Sequence, residues 1–137
     1  MILIDTHALI WVIQNRKELG MNSRALIDVE QRANAVFVAS ITPWEMSMLV
    51  DKGRLELGRP LRDWMDSTLS LPGIKLAPLE PAIAMDAGSL PGNIHGDPSD
   101  RIIIATARWL GCPLLTADRR ILRYAEEGHV RVINAAY

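Results

Sequence analysis

His95-Gly96-Asp97-Pro98-Ser99-Asp100-Arg101, continued by the apolar run Ile102-Ile103-Ile104-Ala105, reads as a helix start followed by its buried face. Asp97 is an N-cap, because a carboxylate there accepts from the free amides of the first turn. Pro98 suits the first helical position, where no amide donor is needed, and Asp100 falls in the first turn, where the helix dipole favours an anion. The pattern predicts a helix running to about Leu110, with Gly111 at the left-handed C′ position and Pro113 preventing continuation. Leu114-Leu115-Thr116 then reads as a short strand that delivers Asp118 into the next turn. Capping alone accounts for Asp97 and Asp100 while this segment is taken by itself.

Outward from it, Ile2-Leu3-Ile4 is wholly apolar and partly β-branched, as a parallel strand covered on both faces requires, and Asp5 sits at its C-terminal end. A helix is expected from His7 to Gln14. A second runs from a cap at Asn22 or Ser23 to about Ala33, with Ala25, Leu26 and Val29 on its inner face. Val36-Phe37-Val38-Ala39-Ser40 is the second strand. Thr42-Pro43-Trp44-Glu45 repeats the opening logic, with Thr42 as cap, Pro43 as first helical residue and Glu45 in the capping-box position of a helix lasting to Gly53. Leu61 to Leu69 carries apolar residues at helical spacing and ends before Pro72. Ile74-Lys75-Leu76 is a third strand, Pro81 to Leu90 and Arg119 to Glu126 are helices, and Val130 to Ile133 is the last strand. Strands alternating with helices imply right-handed crossovers, hence an α/β fold with a mostly parallel central sheet and helices on both faces.

At 137 residues, 49% hydrophobic and 23% charged, the chain suits one compact domain spanning 1–137 with a core that needs no staples. Fifteen basic residues against sixteen acidic ones leave a net charge of −1, so a polyanion has to be held by a local patch and not by a global field. A single cysteine, Cys112, excludes an internal disulfide and a multi-cysteine metal site, and points to a reducing cytoplasmic setting. No apolar run approaches the ~18 residues that read as a membrane span. The first residues lack the basic region and cleavage site of a secretory leader, so a soluble protein with no membrane partner is expected.

Sheets of this kind present functional groups at the carboxyl ends of their strands. Asp5 follows the first strand, Glu45 opens the helix after the second, Asp100 opens the helix before Leu114, and Asp118 follows the strand ending at Thr116. All of these acids fall on that one edge. Like charges so close repel, and some take up protons unless a cation compensates. Carboxylates without clustered His or Cys favour Mg²⁺ or Mn²⁺ over Zn²⁺ or copper, and Mg²⁺ leaves positions for water and phosphate oxygens. Phosphodiester hydrolysis is the matching reaction class. Competing phosphate chemistries lack their parts. There is no G-x-x-x-x-G-K-S/T loop, no G-x-G-x-x-G after a strand and no serine nucleophile elbow, and Thr6-His7 after Asp5 breaks a D-x-D pair.

Asp5-Thr6-His7-Ala8-Leu9-Ile10-Trp11, Trp44-Glu45, His95-x-Asp97-Pro98-x-Asp100-Arg101 and Thr116-Ala117-Asp118, taken in order, resemble the motifs of PIN-domain ribonucleases, especially the VapC-type toxins of prokaryotic toxin-antitoxin pairs. The resemblance spans nearly the whole chain. It implies a three-layer PIN-like fold and a Mg²⁺- or Mn²⁺-dependent endoribonuclease whose acidic cluster is Asp5, Glu45, Asp100 and Asp118. Asp5, Asp100 and Asp118 are then the metal ligands, with Thr6 or Thr116 lending a hydroxyl and Asp97 in support. An RNA substrate, a homodimer and a small antitoxin partner are implied with them. Two positions depart from the pattern: many relatives carry Asn where this chain has His7, and a bulky aromatic where it has Ser99.

Arg101, Arg119 and Arg120 lie next to the acidic edge and are candidates to hold RNA phosphates, with ion pairs to nearby acids as their alternative use. His7 reads as a substrate contact or as a ring packed beside Trp11 or Trp44, and His95 as a hydrogen-bonding loop residue. Trp44, Met46, Met48, Trp64 and Met65 read as core or interface. Two readings compete with a toxin ribonuclease: a PIN-type nuclease outside any toxin system, and a catalytically silent PIN-like interaction module. The intact acids at all the motif positions argue against silence.

Overall fold

A computed structural model describes residues 1–137. The elements run β1 (Ile2–Ile4), α1 (Thr6–Ile13), α2 (Met21–Arg32), β2 (Val36–Ala39), α3 (Ile41–Asp51), α4 (Leu61–Leu69), β3 (Ile74–Ala77), α5 (Pro81–Gly88), α6 (Pro98–Leu110), β4 (Leu114–Thr116), α7 (Arg119–Ala125) and β5 (Val132–Asn134). All five strands form one parallel sheet in the order β3-β2-β1-β4-β5. The chain leaves β1 on one side for β2 and β3, then returns to its other side for β4 and β5. That reversal opens a crevice at the carboxyl ends of β1 and β4.

β1 is buried throughout because helices cover both faces of the sheet. Ile2 and Ile4 join Leu9 of α1, Ile27 of α2 and Trp64 of α4 in one core. Leu3 points the other way and joins Ile83 of α5, Ile104 of α6 and Tyr124 of α7. The period-two alternation of a strand thus serves two cores from three residues. Helix α3 closes the carboxyl edge, in contact with α1, α4 and α6.

Two expected caps fail for one shared reason: the hydroxyl is used elsewhere. Ser23 does not cap α2. The helix begins at Met21, and Ser23 is buried, its Oγ donating to the Asn134 carbonyl and its amide to the Tyr137 carbonyl. Its inner face follows Ser23 and Ile27, which leaves Val29 60% exposed. Thr42 does not cap α3 either. That helix begins at Ile41, and Thr42 Oγ1 pairs with Thr6 Oγ1 at 3.0 Å, tying α3 to α1. Pro43 is then the third helical residue, tolerated because first-turn amides have no intrahelical acceptor. Glu45 moves past the capping-box position. The last strand begins at Val132 instead of Val130, and Met46, Trp64 and Met65 are core side chains.

Gly73 enters β3 at φ +86°, and a Cβ there would lie 1.9 Å from the Gln31 carbonyl oxygen of α2. Gly111 ends α6 in the left-handed region with open space around it. Gly111→Ala is expected to cost about 1–2 kcal/mol, the left-handed penalty alone. Gly73→Ala meets backbone as well and should cost clearly more. Urea denaturation midpoints compare the two, and equal losses would contradict the close approach of α2 to β3.

Candidate active site

Asp5 is the N-cap of α1, its Oδ1 accepting from the Ala8 amide at 2.8 Å. Its Oδ2 accepts from the Thr116 hydroxyl of β4, and the Thr116 oxygen accepts from the Asp118 amide at 3.1 Å. Asp118 in turn caps α7, Oδ1 accepting from the amides of Arg120 and Ile121 at 2.9 and 3.1 Å. The register that sets Ile4 beside Leu115 is what brings these groups within reach. Asp5 is 6% exposed, and burial, against the hydrogen bonds from Thr116 and Ala8, pushes its carboxyl up to about 6.

Asp97 caps α6, as its sequence context requires, with Oδ1 accepting from the Ser99 and Asp100 amides at 3.0 and 3.2 Å. Partial burial opposes its ionisation, but these bonds and one from the Ser99 hydroxyl outweigh it and hold its carboxyl below the usual range. Ser99 Oγ lies 3.0 Å from both Asp97 Oδ1 and Glu45 Oε2, so its one proton is shared between them. Ser99 therefore ties α3 to α6, a role its place between two acids does not reveal in the sequence. His95 Nδ1 accepts from the Asp97 amide at 3.2 Å, which leaves the proton on Nε2. That atom approaches Asp100 Oδ2 at 3.2 Å without the alignment of a hydrogen bond. Asp100 is pushed up to about 7, by burial first and then by Asp97, Asp118 and Glu45, while Arg120, 3.7 Å away, works in the opposite direction.

One cavity of about 420 Å³ collects these groups. Asp5, Thr6, Glu45, Asp97, Asp100, Asp118 and Arg120 all line it, while Thr116 acts from behind through Asp5. Arg101 and Arg119 do not line it. The Arg101 guanidinium donates to the carbonyls of Ala87 and His95, bracing the loop before α6, and Arg119 is exposed outside the cavity. The sequence reading missed Arg54, which the end of α3 carries to the rim. No local pattern marks it, since it reaches the cavity from the turn after α3 through the packing of that helix on α1 and α6. As the side chains stand, no three acid, cysteine or imidazole groups converge to hold a metal ion. The donor set nevertheless fits a hard cation, being oxygen-rich and including two carboxyls whose ionisation burial and neighbours oppose.

These features define a three-layer α/β domain that gathers acids where the two central strands of a parallel sheet end. The chain belongs to the PIN-domain family, whose profile, described as PIN domain, matches residues 2–127. It is 31% identical over 120 residues to Ribonuclease VapC22 of Mycobacterium tuberculosis, covering 88% of each chain. Solved structures with the same fold include VapBC2 from Rickettsia felis bound to a promoter DNA fragment (TM-score 0.70, 18% identity, 98% of both chains). FitAcB from Neisseria gonorrhoeae (TM-score 0.67, 20% identity, 98% of both) and a toxin-antitoxin complex from Klebsiella pneumoniae (TM-score 0.64, 18% identity, 100% of this chain and 98% of that one) are also similar.

Because Asp5 and Asp100 titrate higher folded than the ~3.9 of an unfolded Asp, the folded protein keeps protons that the unfolded chain has released. Stability of the metal-free protein therefore falls as pH rises from about 4 to about 7, with this part of the loss complete above that. Asp100→Asn removes its share. In EDTA its melting temperature should exceed that of the wild type by more at pH 7.5 than at pH 4.5, and a gain independent of pH would contradict the assignment.

Proposed function

We propose that this chain is a Mg²⁺- or Mn²⁺-dependent endoribonuclease and the toxin of a toxin-antitoxin pair. The observation that carries this reading is the meeting of Asp5, Glu45, Asp100 and Asp118 in one cavity of a PIN-domain chain related to a named ribonuclease. Asp5, Asp100 and Asp118 would hold the ion, which when bound supplies a polarised phosphoryl oxygen and a more acidic water. The chain's own residues do the rest. Thr116 and the Ala8 amide fix the Asp5 carboxylate, and Thr6 with Thr42 holds α1 against α3. Glu45, oriented by Ser99, takes the proton of the attacking water as its oxygen bonds to phosphorus. The ester P–O bond breaks, and the departing ribose oxygen takes a proton from solvent. Arg120 at the rim steadies the phosphate, and Asp97 holds the first turn of α6 in place.

In this reading a small antitoxin restrains the enzyme by placing a basic side chain among the acids, and the toxin-antitoxin complexes with the same fold support such a partner. Trp64 and Met65 are buried and cannot anchor it, so an apolar contact falls to exposed side chains such as Trp44 on α3. A homodimer and a cytoplasmic site of action complete the proposal. No helix is long and apolar enough to cross a membrane.

Purified protein given a panel of RNAs should cut in Mg²⁺ or Mn²⁺ and stop in EDTA. Asp5→Asn and Asp100→Asn should each slow cleavage by about 100-fold or more, beyond what loss of an outer-shell contact costs, with circular dichroism unchanged. RNA left intact in both ions, or a fully active Asp5→Asn, would overturn the reading.

A further inference from the structure

The cavity has walls from two layers, and the scheme above uses the acids with only one of them. Asp97, Asp100 and Arg120 come from α6 and α7, on one face of the sheet. His7 and Trp11 come from α1 on the other face, and Arg54 from the turn after α3. Trp11 is partly buried, and the exposed His7 ring leans on it with centroids 6.4 Å apart and planes at 57°. Both rings line the cavity, tilted to one another, and a flat group entering it would meet them. Arg54 follows Gly53, whose φ of +70° turns the chain out of α3, and its own amide is fixed to the Leu49 carbonyl at 2.9 Å. Its exposed guanidinium has no acid within ion-pairing distance, whereas the charge of Arg120 is shared with Asp100.

A cation with free donors, an aromatic pair and a carboxylate cluster lining one cavity match the repeat of a single nucleic-acid strand, in which charged phosphates alternate with flat bases. The cavity, at about 420 Å³, has room for more than the scissile phosphate. Only four of its thirteen lining residues are hydrophobic, which disfavours a small apolar ligand. We infer that His7, Trp11 and Arg54 form a nucleotide subsite, in which the base flanking the scissile phosphate stacks against the His7–Trp11 pair and Arg54 holds the adjacent phosphate. The inference rests on the ribonuclease reading above and adds where the substrate strand lies. Trp11 offers a π-face to any base. His7 presents ring nitrogens that discriminate base edges, which makes it the residue that sets preference at this position.

The test compares wild type with His7→Ala, Arg54→Ala, Arg54→Lys and Trp11→Phe. Binding of fluorescent single-stranded RNA is read by anisotropy at several salt concentrations, and KM, kcat and cut-site preference are read on a randomised RNA pool. Arg54→Ala should weaken binding about tenfold and lower the salt slope by about one, with partial rescue by Arg54→Lys. His7→Ala should weaken binding by a similar factor and flatten the base preference at one flank of the cut, the loss falling on KM more than on kcat. His7 and Arg54 are exposed, so their variants decide the matter even if Trp11→Phe folds poorly. Unchanged affinity, KM and cut pattern in His7→Ala and Arg54→Ala overturn the subsite, while cleavage by the wild type keeps the nuclease reading. A wild type that neither binds nor cuts RNA overturns both.

Discussion

The Thr116 hydroxyl donates to the Asp5 carboxylate and accepts from the Asp118 amide, and the site depends on that one group. It bridges the ends of β1 and β4, the neighbours between which the sheet order reverses. Three acids of the cavity are then fixed by their own helices: Asp5, Asp97 and Asp118 cap α1, α6 and α7, each accepting amides of the first turn. Capping stabilises the helices; it engages only Oδ1 of Asp97 and Asp118, while both oxygens of Asp5 are held, one by the Ala8 amide and one by Thr116. The same bonds build the fold and preorganise the site.

Asp100 and Glu45 are different, since neither caps a helix. Asp100 is held where burial and the neighbouring acids oppose its charge more than Arg120 favours it. Fold stability and site chemistry pull apart at this residue. A polar or neutral side chain would suit the metal-free protein better, so the acid is retained at a cost that a bound cation would offset.

The central architecture is readable in the sequence because its signals are local. Ile2 to Ile4, Leu114 to Thr116 and the Asp97-Pro98 helix start each carry their own cue, and spacing alone puts Asp5, Glu45, Asp100 and Asp118 on one edge. What escapes is set by distant partners. Thr42 and Ser23 look like caps, but buried hydrogen bonds to Thr6 and Asn134 claim their hydroxyls. Arg101 sits beside Asp100 in the chain, yet two backbone carbonyls hold its guanidinium away from the cavity. Arg54 and Ser99 reach the site through packing of α3 that no short window encodes.

The central proposal is that the acids at the ends of β1 and β4 would close around a cation, and that burial and mutual repulsion keep some of them protonated until it binds. Calorimetric titration with Mn²⁺ in buffers of different ionisation enthalpy measures it directly, because the proton released on binding appears in the buffer term. With Asp5 near 6 and Asp100 near 7, binding should release protons at pH 6.5 and far fewer at pH 8.5, and Asp100→Asn should reduce the release. Mn²⁺ binding with no proton release at pH 6.5, or no binding at all, would contradict the account.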